Sequence, residues 1–86
     1  MTRLIGSTIY FNANDGINGN ELWAHDISKS STSQVADINS GSGGSNPGQY
    51  MEILVGDIIY MDADDGVTGC ELWSFETIPT HSITYD

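Results

Sequence analysis

Apolar residues along this chain come in short runs of period two, not in the rhythm of a helix. No segment keeps apolar residues at i, i+3, i+4 and i+7 through three turns. The runs are β-branched or aromatic and are bounded by Gly, Asn, Asp and Ser, the pattern of strands joined by tight turns. The spacing predicts eight strands, over residues 2–6, 8–13, 21–26, 33–38, 50–55, 57–63, 71–76 and 81–86. In the second and sixth of these, both parities are apolar. Thr8 and Tyr10 oppose Ile9 and Phe11, and Ile58 and Tyr60 oppose Ile59 and Met61. A sheet with one solvated face alternates apolar and polar, so both faces of each sheet are expected to need cover. Two four-stranded sheets can cover each other on one side only.

The second half of the pattern repeats the first. Residues 6–23, GSTIYFNANDGINGNELW, recur fifty positions later as GDIIYMDADDGVTGCELW. A repeat of this period points to stacked supersecondary units such as propeller blades. The expected fold class is therefore all-β: two four-stranded antiparallel propeller-like blades per chain, completed to a ring by oligomerisation. Residues 1–38 form the first blade, 39–49 a Gly/Ser-rich connector and 50–86 the second blade. Gly6-Ser7 and Gly56-Asp57 are read as tight turns. Residues 14–19 and 64–69 are read as longer hairpin loops in which Asp-Gly favours positive φ. Ile17 and Val67, at matching places in those loops, are expected to fold back over the sheet edge. NSGSGGSNPGQ, residues 39–49, reads as a flexible joint.

At ELWAHD and ELWSFE the chain resembles the ELWxxDGT repeat family of bacterial proteins. Ile9-Tyr10-Phe11, Ala13-Asn14-Asp15-Gly16, and Asp37-Ile38-Asn39 followed by Gly43-Gly44-Ser45-Asn46-Pro47 support the likeness, which covers most of the chain. The resemblance implies a propeller-like arrangement in an exported or cell-surface protein, and no defined ligand. The chain departs from the pattern where Ile27-Ser28 follows Asp26 and where Glu76-Thr77-Ile78, with Pro79 after it, replaces the Asp-Gly-Thr turn. In organisation it is similar to small two-blade lectins whose subunits assemble into a complete propeller, because a closed propeller takes four to eight blades.

Charge narrows the partners. Twelve acidic residues face Arg3 and Lys29, for a net charge of -10 over 86 residues. Such a field repels nucleic acid and anionic membrane surfaces, and it suits cations or a neutral ligand such as a sugar. No run approaches the length of a membrane-spanning helix, and the start, MTRLIGSTIYF, shows no signal-peptide pattern. A domain this small is marginal without help. Cys70, the single cysteine, cannot supply a disulfide within the chain.

Three constellations carry candidate chemistry. Asp62, Asp64 and Asp65, beside Gly66, offer oxygen ligands for calcium, although the EF-hand spacing fails and Asx turn chemistry accounts for the same residues. Glu21 with Trp23, and Glu71 with Trp73, share a strand face. They could present an aromatic platform and a carboxylate to a sugar ring, or serve inter-sheet packing and the capping of the preceding Gly-rich loop. Paired carboxylates of glycosidase type are not marked in the sequence. His25 and His81 stand at non-equivalent positions, and no nucleophile-base spacing is present. The sequence thus points to a non-catalytic binding protein, with carbohydrate as the leading ligand class and homotrimer or homotetramer as the expected assembly. The alternative is a structural or protein-interaction module with no small-molecule ligand.

Overall fold

The computed structural model describes residues 1–40, 43–77 and 83–85, and all regular structure among them is β. The strands are β1 (Thr2–Ile5), β2 (Thr8–Asn14), β3 (Asn20–Asp26), β4 (Ser31–Ala36), β5 (Glu52–Val55), β6 (Ile58–Asp64), β7 (Cys70–Glu76) and β8 (Ile83–Tyr85). They form two four-stranded antiparallel sheets, each in plain sequence order, β1 to β4 and β5 to β8. His81 and Pro79 lie outside the described residues. So do Ser82 and Asp86, the other positions expected for the last strand on either side of Ile83–Tyr85.

The registers repeat with the sequence. Thr2 pairs with Phe11 and Glu52 with Met61; Phe11 pairs with Trp23 and Met61 with Trp73. Gly6 and Gly56, both at φ 60, close the first hairpin of each sheet in the left-handed conformation that glycine tolerates. The third hairpins differ. Asp26 faces Ser31 in the first sheet, whereas Ser74 faces Thr84 in the second, so the equivalence there shifts by one residue. In the first sheet a bulge between Leu22 and Trp23 leaves Val35 as the extra residue on β4.

Strand parity decides which face each residue takes. The even-numbered face of the first sheet presents Tyr10, Leu22 and Ala24, and the odd-numbered face of the second presents Ile59, Met61 and Phe75. These residues, with Ala36, form one buried cluster. Tyr10 and Phe75 meet edge to face with ring centroids 5.4 Å apart, a favoured aromatic geometry. At the margin Arg3 of β1 bridges to Glu52 of β5, with Nε 2.6 Å from Oε2. The two outer faces keep their apolar residues partly open, as the two-sided apolar pattern requires.

Two expectations fail. Ile17 and Val67 do not fold over the sheet edge; they are 72% and 89% exposed. The turn chemistry explains this. Asp15 Oδ1 accepts from the backbone N–H groups of Ile17 and Asn18, and Asp65 Oδ1 from those of Val67 and Thr68. The loop closes on its own backbone, and its apolar side chain is turned outward. Nor is the connector a loose joint. Ser45 and Pro47 are fully buried. Ser45 and Asn46 both donate their N–H to the Asn20 carbonyl of the first sheet, while Asp64 of the second donates its N–H to the Ser45 carbonyl. Gly44, at φ 75, lies against Asn20, where a Cβ would meet the backbone N at 2.5 Å. Glycine is there for close approach, not for flexibility.

Candidate functional site

Of the carboxylates singled out in the sequence, Glu21, Asp62, Asp64 and Asp65 are already occupied by the chain's own donors. Glu21 is fully buried. Its Oε1 accepts from the Ile38 N–H at 2.9 Å and the Ser45 hydroxyl at 2.6 Å, and its Oε2 from the Asn39 N–H at 3.1 Å. It caps the connector that follows, not the glycine-rich loop that precedes it. Burial raises its pKa, against the lowering effect of those three donors. Its repeat partner Glu71 is half-buried, and no hydrogen bond joins its carboxylate to another described residue. The two glutamates therefore do different work although each opens a Glu-Leu-Trp segment.

The tryptophans are also placed differently. Trp73 lies on the inner face of the second sheet, packs against the core and meets Tyr85 in a tilted contact, ring centroids 5.4 Å apart. Trp23 lies on the outer face of the first sheet beside Phe11 and Gln34. Both indole N–H groups are shielded from solvent without a hydrogen-bond partner. Glu21, Trp23, Glu71 and Trp73 are thus not gathered into one pocket.

Asp62, Asp64 and Asp65 behave as turn and strand caps. Asp62 is buried; its Oδ1 accepts from Tyr50 N–H at 3.0 Å and Met51 N–H at 2.9 Å, fixing the approach to β5. Its Oδ2 accepts from the Cys70 thiol at 3.2 Å. Burial pushes its pKa up, but these donors together outweigh burial and hold it below the ordinary value. The same contact with Asp62 raises the Cys70 thiol pKa. Asp64 caps Gly66 N–H at 2.8 Å. Backbone donation from Thr68 and Val67 lowers the pKa of Asp65, as donation from Asn18 and Ile17 lowers that of Asp15. Among the described residues no three His, Cys, Asp or Glu side chains converge as a metal site.

The cavity lies elsewhere. A pocket of about 280 Å³ opens on the even-numbered face of the first sheet. Tyr10 is among its lining residues, but it is only 4% exposed and its ring packs on Phe75, so the pocket abuts the inter-sheet core. Its polar walls are Thr8, Asp26, Lys29, Ser31 and Ser33. Thr8, Asp26 and Ser31 are brought together by register, as cross-strand neighbours over β2, β3 and β4. Lys29 comes from the β3–β4 turn. That turn is fixed by Asp26, whose Oδ1 accepts from Ser28 N–H at 3.0 Å and Ser28 Oγ at 2.6 Å. The Ser28 hydroxyl is the main reason the Asp26 pKa falls, with the Lys29 charge contributing. Burial raises the pKa of the Tyr10 phenol above its ordinary value. The pocket therefore offers hydroxyls that donate and accept, one carboxylate and one ammonium.

Sequence reasoning on the duplicated Glu-Leu-Trp segment missed this pocket. The signal available was parity: Thr8, Tyr10, Ala24 and Asp26 share one face, and Lys29 is the single lysine in an acidic chain. In comparisons with known proteins, no family model matches the chain, and no curated protein or solved structure matches it.

Proposed function

We propose that the chain is a non-catalytic binding protein whose ligand is a carbohydrate, held in the pocket between Thr8, Asp26, Lys29, Ser31 and Ser33. The observation that carries this reading is the pocket's lining. Hydroxyl groups, a carboxylate and an ammonium gather around one pocket, a set that hydrogen-bonds a polyhydroxylated ring. A volume of about 280 Å³ suits a single sugar ring better than an extended chain. The strong negative charge of the chain favours a neutral ligand over an anionic one. The stacking of one repeat's even face on the next repeat's odd face supports a propeller-like arrangement, in keeping with the likeness to ELWxxDGT repeats.

A glycan array followed by titration calorimetry tests the reading. Binding is expected to be lost in Lys29→Ala and in Ser33→Leu, which fills the pocket. It is expected to survive in Trp23→Ala, on the opposite face of the sheet. An empty array would overturn the proposal. Loss of binding in Trp23→Ala with retention in both pocket variants would return the site to the Glu-Leu-Trp segment.

The second reading is an interaction module with no small-molecule ligand. It is favoured by Glu21, whose carboxylate is wholly engaged in holding the connector.

A further inference from the structure

The contact between the two sheets is directional. The even face of one repeat packs on the odd face of the next, so each sheet retains the face that its neighbour has used. The odd face of the first sheet, with Ile9, Phe11 and Trp23, stays partly open. Its equivalents on the second sheet are Ile59 and Met61, both fully buried, and Trp73, which packs on the core. The even face of the second sheet, with Ile58, Tyr60 and Leu72, is also open. Leu72 is 43% exposed, whereas its equivalent Leu22 is 0% exposed. The two open faces thus repeat the two halves of a contact that the chain already makes with itself.

We infer that a second copy of this chain docks head to tail. The face of Ile58, Tyr60 and Leu72 of one copy lies on the face of Ile9, Phe11 and Trp23 of the next, and the contacts close into a ring. The covered internal contact is the template. Tyr60 stands where Tyr10 stands, Ile9 and Phe11 stand in the places of Ile59 and Met61, and His25 stands in the place of Phe75, the ring that Tyr10 meets in the internal contact. The chemistry fits without new charge. At the position of the internal Arg3–Glu52 bridge, the intermolecular contact would set Ile53 against Thr2.

Size is adequate when both faces are used. A seven-residue strand is about 23 Å long, and four strands span about 19 Å. Each face therefore offers at most roughly 400 Å², so each contact buries roughly 800 Å² over both partners, at the small end of protein interfaces, and ring closure gives every subunit a second such contact. A twofold dimer would use one face and leave the other open. Heterologous contacts of this kind close into rings when the rotation allows. Three chains would supply six sheets and four would supply eight, both within the range of closed radial assemblies.

Docking also builds a second pocket. Tyr60, Ser74, Glu76 and Thr84 occupy on the second sheet the places of Tyr10, Ala24, Asp26 and Ser33. In the ring, this lining would face the neighbouring subunit. The assembly does not depend on the carbohydrate reading, since it rests on the sheet faces alone.

Light scattering on the size-separated protein at low micromolar concentration tests the inference, with circular dichroism to confirm the β fold of each variant. The wild type is expected as a closed trimer or tetramer. Phe11→Glu and Leu72→Glu, on different faces, should each give a folded monomer. Mixing the two should give a 1:1 dimer, because each variant keeps the face the other has lost. Val67→Glu, at an exposed loop tip, should leave the ring intact. A folded wild-type monomer, an open fibre, or a dimer broken by only one of the two face variants would overturn the inference. Glycan binding is read separately on the Phe11→Glu monomer, so failure of the ring and failure of the ligand reading remain distinguishable.

Discussion

Replacing Glu21 by Ala removes the acceptor for three donors at once: the N–H groups of Ile38 and Asn39 and the hydroxyl of Ser45. Each donor left unpaired in a buried place costs about 1–3 kcal/mol. Some of that cost is recovered, because burial also penalises the Glu21 carboxylate itself, as its raised pKa shows. The net loss expected is about 3–5 kcal/mol, of the same order as the whole stability of a domain this size, roughly 4–13 kcal/mol. In a thermal melt followed by circular dichroism this corresponds to a fall of more than about 12 °C. Glu71→Ala is the internal control, since no described residue donates to that carboxylate; it should move stability by less than about 1 kcal/mol. Glu21→Gln keeps the shape and two acceptor lone pairs and should lose less than the alanine variant. Equal effects of Glu21→Ala and Glu71→Ala would refute the clamp, for they would mean that the connector is held by something the two repeats share.

Three further outcomes follow from the same contacts. Phe75→Ala should cost about 3–5 kcal/mol by opening the core against Tyr10, whereas His25→Ala, at the equivalent place on the open face, should cost less than about 1 kcal/mol; equal losses in urea titrations would contradict the burial difference. Stability should be greatest in weakly acidic solution: the lowered pKa values of Asp15, Asp26, Asp62 and Asp65 give stability that is present above their ordinary value of 3.8 and lost as pH falls through the folded values. The raised pKa of Glu21 acts in the opposite sense, its contribution being full below 4.5 and lost as pH rises through the folded value, so Glu21→Gln should flatten that limb of a pH series of urea melts. Calcium should leave the melting temperature unchanged, because Asp62, Asp64 and Asp65 already accept from neighbouring donors; a rise reversed by chelation and abolished in Asp64→Ala would restore the cation reading.

Much of the fold was legible because period-two patterning and turn glycines act locally. The strand boundaries fall within two residues of those read from the sequence for β1 to β7, and the repeat carries the register with it. What was not legible depends on contacts made over distance. Nothing local to Gly43-Gly44-Ser45 announces that Asn20 and Glu21 will hold it down, so a glycine- and serine-rich stretch reads as a tether. Ile17 and Val67 were misread for the opposite reason: an apolar side chain suggests burial, yet the Asx turn beneath it closes without the sheet. The pocket escaped because its walls come from three strands and a turn, and only parity joins them.

Repetition itself hides the site. Identical positions suggest identical roles, but the two copies meet different neighbours: Glu21 takes three donors where Glu71 takes none among the described residues, and Leu22 is covered where Leu72 is open. At Asn20 and Cys70, and at Asn12 and Asp62, the residue itself has changed. Cys70 donates to Asp62, while the Asn20 side-chain oxygen is buried without a partner. The third hairpin differs most, with Asp26, Lys29 and Ser31 shaping the first pocket. Glu76 and Thr84 stand at the matching places of the second sheet, with the register displaced by one residue. On the carbohydrate reading proposed above, selectivity would reside in the residues the two copies do not share. Exchanging the 27–30 turn for its equivalent in the second repeat should therefore change which glycan is bound while leaving the assembly and the melting curve nearly as they were. A variant that loses the ring instead would show that this turn serves the stacking and not the pocket.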